Sequence, residues 1–210
     1  MSRLAISGLV KGFGFAPVLK GIDLVANEGE RIALVGENGS GKSTLLRVLA
    51  LLQRPEAGAY TLEGRDALKD SVGARALIGY LGHESGLDRA QTVRENLTLF
   101  AKLYGVRDAT QRVDELLERF GLNRLALSPV AELSRGQEQA AGLARACVHQ
   151  PLLLLLDEPA NALDDAARAR LWGALREESV RGATVIFSTH DAASAQQATC
   201  TVRLSGGKLA

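Results

Sequence analysis

Apolar residues along this chain come in short runs whose spacing changes twice. Residues 3–10, Arg-Leu-Ala-Ile-Ser-Gly-Leu-Val, read as a strand. Residues 18–25, with Val18, Leu19, Ile22, Leu24 and Val25, read as a second, followed by the polar turn Asn27-Glu28-Gly29-Glu30. Residues 31–35 form an apolar strand, and a helix is expected over 42–52, with Pro55 and Gly58 ending the unit. Tyr60-Thr61-Leu62 before Gly64 reads as a short antiparallel hairpin arm, and Leu77–Leu81 as another strand. From about 83 the period becomes helical. Thr92 and Glu95 form a capping box for a helix over 93–104. A helix over 108–121 gathers Val113, Leu116, Leu117 and Phe120 on one face. Ser134 caps a third helix that runs to about Val148.

The strand texture then returns. Leu152–Leu156 is five leucines between Pro151 and Asp157, short enough to be a strand buried on both faces of a parallel sheet. A helix over 164–179, a strand over 183–188, a helix near 191–198 and a strand over 200–204 complete the pattern. Alternating strands and helices predict an α/β fold: a mostly parallel sheet covered on both faces, in which ligands bind beyond the carboxyl ends of the strands. One domain is expected, with a core over about 1–82 and 150–210 and a helical insertion over about 83–149.

Composition alters this picture little. The 210 residues are 46% hydrophobic and 23% charged, ordinary for a globular protein. A net charge of +1 gives no overall basic field, so no nucleic-acid partner is expected. Cys147 and Cys200 fit no disulfide framework or metal-ligand spacing, and their apolar neighbours predict two buried, reduced thiols. The first residues do not read as a signal peptide. No apolar run approaches the roughly 20 residues a membrane span needs. A cytosolic chain that does not itself cross a membrane is expected.

The chemistry centres on residues 36–44, Gly36-Glu37-Asn38-Gly39-Ser40-Gly41-Lys42-Ser43-Thr44. The spacing G-x-x-x-x-G-K-[ST], between a strand and a helix, is that of a phosphate-binding P-loop. Gly36, Gly39 and Gly41 let the backbone turn tightly and approach a ligand. Backbone N–H groups and the helix N-terminus converge on phosphate oxygens. Lys42 places a cation on the β/γ-phosphates, and the Ser43 hydroxyl is a ligand for Mg²⁺. Asp157, at the carboxyl end of the leucine strand, lands beside that loop and holds Mg²⁺ directly or through water. Glu158 orients or deprotonates an attacking water. His190, after the strand over 183–188, reaches the same edge and is placed to sense a γ-phosphate. Ser134 and Gly136 offer a second helix N-terminus to an anion, which suggests a site shared between two chains.

With these residues in place, the chain resembles the nucleotide-binding subunit of an ATP-binding cassette (ABC) transporter over essentially its whole length. The P-loop is that family's Walker A motif and 152–158 its Walker B. Leu133-Ser134-Arg135-Gly136-Gln137 is similar to the LSGGQ signature, Ala162-Leu163-Asp164 to the D-loop, and His190 to the switch histidine. Phe13 falls where the family stacks an aromatic on adenine, an interaction worth roughly 1–3 kcal/mol per base. The resemblance implies a P-loop NTPase of the ABC-ATPase fold, with an antiparallel β part at the N-terminus. It implies an ATPase using ATP and Mg²⁺, closing head to tail as a homodimer or with a related chain. Ser134, Arg135, Gly136 and Gln137 would serve the partner's nucleotide. An integral-membrane permease would be driven by that closure. The chain would sit peripherally on the cytoplasmic face of a bacterial inner membrane through that permease.

Three positions depart from the family's pattern. His83 stands where a glutamine contacts Mg²⁺ or the lytic water, with Glu84 as a neighbouring substitute. Arg135 replaces a signature glycine, either holding a γ-phosphate or remaining solvated. Ala140 stands where a basic residue is common. The stretch Tyr80-Leu81-Gly82-His83-Glu84-Ser85-Gly86 is similar to the Gly-His-x-x-Gly of the haem-exporter ATPases of cytochrome c maturation (the CcmA family). Haem export is therefore the expected cargo, with another small-molecule or drug exporter as the alternative and a soluble, non-transport ABC ATPase as a further one. A P-loop kinase or GTPase leaves the LSRGQ element without a role.

Overall fold

Four of the parallel strands end together at one edge, and that edge builds the site. A computed structural model describes residues 2–14 and 16–209. In chain order the elements are β1 (Ser2–Phe13), β2 (Ala16–Asn27), β3 (Arg31–Val35), α1 (Lys42–Leu49), β4 (Ala57–Leu62), β5 (Arg65–Asp66), α2 (Ser71–Arg75) and β6 (Ile78–Leu81). There follow α3 (Val93–Leu103), α4 (Ala109–Arg119), α5 (Arg135–Ala146), β7 (Leu153–Leu156), α6 (Asp165–Val180), β8 (Thr184–Thr189), α7 (Ala192–Ala195), β9 (Cys200–Ser205) and β10 (Lys208–Leu209). One sheet is antiparallel, in the order β2-β1-β4-β5; the other runs β10-β9-β3-β8-β7-β6. In the second, β9, β3, β8, β7 and β6 are parallel and β10 pairs antiparallel with β9.

The leucine run explains how this sheet is covered. Successive side chains of a strand point to opposite faces. Leu154 and Leu156 join Ala33, Val185 and Phe187 in one apolar cluster, which also takes in α3–α6. Leu153 and Leu155 join Ile32, Leu34 and Ile186 in the other, with α1 and the antiparallel sheet. Both faces are therefore dry, which is why these strands read as unbroken apolar runs rather than alternating ones.

Several expected boundaries shift. β1 and β2 run for 12 residues each. Their outer positions, such as Ser7, Lys20 and Asp23, are polar and exposed, and such positions hide a strand from a search for apolar density. Helix α1 stops at Leu49, and Leu51 has φ 57. The helix near 191–198 is confined to 192–195. Helix α2 and strand β10 have no counterpart in the apolar pattern; α2 is five residues held by Asp70, whose carboxylate accepts from the Gly73 N–H at 3.0 Å. Burial pushes the Cys147 thiol up to about 12, consistent with an inert, reduced core residue. Cys200 corrects the expectation of two buried thiols: it opens β9 on a solvent-facing position and is exposed. Among the described residues, no helix is long and apolar enough to cross a membrane.

Candidate functional site

Parallel register sets the site. Val35 aligns with Thr189, Leu156 with Phe187, and Leu81 with Leu156. The residues that leave these strand ends, at 36, 82, 157 and 190, therefore share one edge. At that edge lies a cleft of about 540 Å³ lined by Lys42, Ser43, His83, Asp157, Glu158 and His190, among others. Sequence positions more than 100 residues apart are thus brought within one ligand's reach.

The loop over 36–44 is shaped by its glycines and its lysine. A Cβ on Gly36 would lie 2.3 Å from the Leu204 carbonyl oxygen, so only glycine fits between β3 and β9 there. Gly41 caps α1 in a left-handed conformation and no side chain caps the helix, leaving its first N–H groups directed at the cleft. Lys42 is buried, and its ammonium donates to the carbonyls of Gly36 and Glu37 at 2.8 and 3.0 Å. Those carbonyls hold the cation over the loop.

The acidic side is built on a residue the motifs did not single out. Ser188, fully buried in β8, donates its hydroxyl to Asp157 Oδ1 at 2.6 Å and accepts from the Glu158 N–H at 2.9 Å. One hydroxyl thus fixes both acidic residues. Asp157 is 2% exposed, and its Oδ2 has no hydrogen-bond partner among the described residues. A buried carboxylate oxygen without a partner is costly, and a divalent cation in the cleft would satisfy it. No group of three or more His, Cys, Asp or Glu side chains is arranged as a metal cage among the described residues. Ser43 and Asp157 therefore fit a Mg²⁺ that draws its other ligands from phosphate and water, its usual habit. Glu158 has φ 50, strained for a residue with a Cβ, and its carboxylate lies 3.0 Å from His190 Nδ1. His83 Nε2 approaches Asp157 Oδ2 at 3.6 Å.

The signature segment lies beside this cleft and not in it. Ser134 and Gln137 form a reciprocal capping box at the start of α5 and are exposed. A Cβ on Gly136 would lie 2.7 Å from the Ala162 carbonyl, so the segment leans on the loop after Glu158. Arg135 lines a neighbouring hollow together with His83, Asp157, Glu158 and Asn161. Ala140 packs partly buried against the core. Phe13 ends β1 half-exposed with the Lys11 ammonium 5.2 Å over its ring, and it is not among the residues lining the cleft.

A second set of contacts ties α5 to the His83 loop. Arg145 donates to the carbonyls of Tyr80 at 2.7 Å and Ser85 at 2.9 Å, and packs over the Phe100 ring. Glu138 accepts from the Ser85 hydroxyl at 2.7 Å. Burial lowers the Arg145 pKa, yet two carbonyls and a ring face keep the cation satisfied. Sequence reasoning passed over Ser188, Glu138 and Arg145. An arginine on a helix reads as solvated until its carbonyl partners are known.

Known proteins match this arrangement. The sequence profile of the ABC transporter family matches residues 19–161. A daunorubicin resistance ATP-binding protein from Streptomyces coeruleorubidus is 37% identical over 190 residues, 90% of this chain and 60% of that protein. A macrolide export ATP-binding/permease protein from Aeromonas hydrophila is 38% identical over 218 residues, 98% of this chain and 34% of that protein. The chain thus spans between a third and three-fifths of these relatives. A dimeric ATP-binding cassette solved in a post-hydrolysis state with ADP and Pi superimposes with a TM-score of 0.90 at 26% identity, covering 98% of this chain and 96% of that one. A phosphate-binding loop, a paired acid edge and a capped signature helix, matched across nine-tenths of the chain, admit one conclusion: this chain belongs to the ABC transporter family, as one of its ATP-binding domains.

Proposed function

We propose that the chain binds and hydrolyses ATP and that two copies, or this chain and a related one, close around the nucleotide to drive a membrane permease. The observation that carries this reading is the convergence of Lys42, Ser43, Asp157, Glu158 and His190 on one cleft. Lys42 leaves its loop carbonyls for the β/γ-phosphate oxygens. Ser43 and Asp157 would hold Mg²⁺, which when bound would neutralise phosphate charge. Glu158 takes the proton of the attacking water on its carboxylate, and His190 Nδ1, 3.0 Å away, fixes that carboxylate's orientation. Phe13 stacks on the adenine. Ser134, Arg135, Gly136 and Gln137 are exposed or half-exposed at a helix N-terminus outside their own cleft, as residues serving a second chain's phosphates would be.

In this reading 83–149 is the subdomain that moves with the signature, on a core of 1–82 and 150–210. Arg145, which donates to the Tyr80 carbonyl in the core strand β6, carries motion between the two. The permease is a partner by analogy with the macrolide export relative, which joins both functions in one protein. A position on the cytoplasmic face of the membrane follows from that partner. Export suits the macrolide relative's name; haem as the cargo rests on Gly82-His83 and Gly86 alone.

Glu158→Gln tests the shared site. With Mg-ATP, gel filtration of this variant should show a dimer that disperses when nucleotide is removed, with turnover lowered by on the order of 10² or more. A variant that binds ATP and elutes only as a monomer would sink the two-chain site.

A further inference from the structure

We propose that His83 is a direct nitrogen ligand of the nucleotide's divalent cation and that it shifts the site's preference from Mg²⁺ toward transition metals. This rests on the ATP-binding reading above and concerns which cation that site selects. Asp157 Oδ2 is the starting point: it is buried, has no hydrogen-bond partner among the described residues, and belongs to a residue lining the cleft. The nearest basic atom to it is His83 Nε2, at 3.6 Å. Two donors bound to one cation at about 2.1 Å each stand roughly 3.0–3.4 Å apart at octahedral to tetrahedral angles. The observed gap exceeds this by a few tenths of an ångström. His83 is 63% exposed on the loop after β6, so its ring has room to close that distance.

The surrounding contacts favour a fixed ligand. Arg145 and Glu138 hold the backbone and the Ser85 hydroxyl on either side of the loop, so the imidazole is presented from an anchored turn. His190, the other imidazole on the cleft, is engaged through Nδ1 with Glu158. His83 and Asp157 thus make an N,O pair on the side of the cleft away from Lys42's carbonyl rests. Oxygen-only sites suit Mg²⁺, whereas an imidazole adds most to Co²⁺, Ni²⁺ and Zn²⁺. A glutamine at 83 would offer only an amide oxygen to the metal, so His83→Gln removes the nitrogen while keeping a polar side chain on an exposed position.

The test uses the whole chain with Mn²⁺ and a non-hydrolysable ATP analogue, its histidines labelled with ¹⁵N to separate them from adenine nitrogens. Pulsed EPR should detect a directly coordinated histidine nitrogen in the wild type and lose it in His83→Gln. In parallel, the ratio of analogue affinities with Co²⁺ and with Mg²⁺ should fall about tenfold in His83→Gln. A wild-type complex that holds Mn²⁺ and nucleotide without a histidine ¹⁵N coupling overturns the proposal. So does a coupling that survives in His83→Gln, or an unchanged cation ratio. If the wild type does not bind the analogue with any of these cations, the ATP-binding reading falls first, and this one with it.

Discussion

Replacing Ser188 with alanine removes one oxygen and orphans two groups. Asp157 Oδ1 loses a 2.6 Å donor, and the Glu158 N–H loses a 2.9 Å acceptor. Ser188 is fully buried, so water does not take its place from the strand side. A hydrogen bond to a charged group contributes roughly 1.5–3 kcal/mol, and an unsatisfied buried N–H costs roughly 1–3 kcal/mol. Asp157 faces the cleft, so water there offsets part of the first loss. The net is about 2–4 kcal/mol. For a domain of about 200 residues that lowers the melting temperature by about 5–15 °C.

Activity should fall further than binding. The Ser188 bond to the Glu158 N–H restrains a backbone at φ 50, and the His190 contact restrains the other end of the residue. Releasing the peptide lets Glu158 relax toward ordinary dihedrals and misplaces its carboxylate. ATP turnover is expected to drop by on the order of 10², with KM moving severalfold at most. Circular dichroism melts and steady-state hydrolysis measure the two effects. A double-mutant cycle with Asp157→Ala isolates the shared bond, whose coupling should be about 1.5–3 kcal/mol. Additivity within about 0.5 kcal/mol, with a melting point within 2 °C of wild type, would refute the relay.

Two further substitutions probe the framework away from the cleft. Glu178 is 2% exposed between Arg119 of α4 and Arg181, each 2.6 Å away; Arg119→Met leaves it half-compensated and should cost about 3 kcal/mol in urea unfolding, with Glu178→Gln in the same chain recovering part of that loss. Full stability of the single variant would show that the pair contributes nothing. Burial pulls the His149 imidazole down to about 4, and its ring stacks 3.8 Å from Tyr104 while Nε2 meets the Ile78 carbonyl at 3.2 Å. The unfolded chain, with an ordinary imidazole near 6.5, takes up a proton that the folded chain refuses, so stability falls by about 3 kcal/mol as pH drops from about 6.5 to 4. His149→Phe should be about 1 kcal/mol less stable at pH 7.5, from the lost hydrogen bond, and should flatten that acid decline; parallel wild-type and variant curves of unfolding free energy against pH would contradict it.

The strand, loop and helix around Lys42 were legible because their signal is local. An apolar run buried on both faces, a glycine spacing and a helix-forming stretch follow one another without a break from Arg31 to Leu49. The capping box at Thr92 and the N-cap at Ser134 were equally local, and each forms as expected; that Gln137 completes a second box with Ser134 is what the structure adds. Register was not legible. Nothing in the sequence near Ser188 says that Leu34 will stand beside it, or that the next strand over will deliver Asp157 to its hydroxyl. A serine inside Thr-Val-Ile-Phe-Ser reads as a tolerated strand residue. Only parallel pairing of β7 with β8 makes it the anchor of two acids.

The same limit applies to His83, which family habit ties to Mg²⁺ but whose contact with Asp157 the sequence alone does not show. In sequence it is 74 residues from Asp157, a separation that says nothing about contact. In the fold, Leu81 pairs with Leu156, so the residues two and one beyond them must meet at the sheet edge. A substitution there acts on the chemistry of Asp157 directly, whatever family habit it breaks. Any histidine two residues past the end of β6 in this topology would face the same carboxylate, so moving it to position 84 in a His83→Gln/Glu84→His chain should not restore the nitrogen coupling to Mn²⁺. Restoration would mean that the loop, and not the pairing of β6 with β7, places the imidazole.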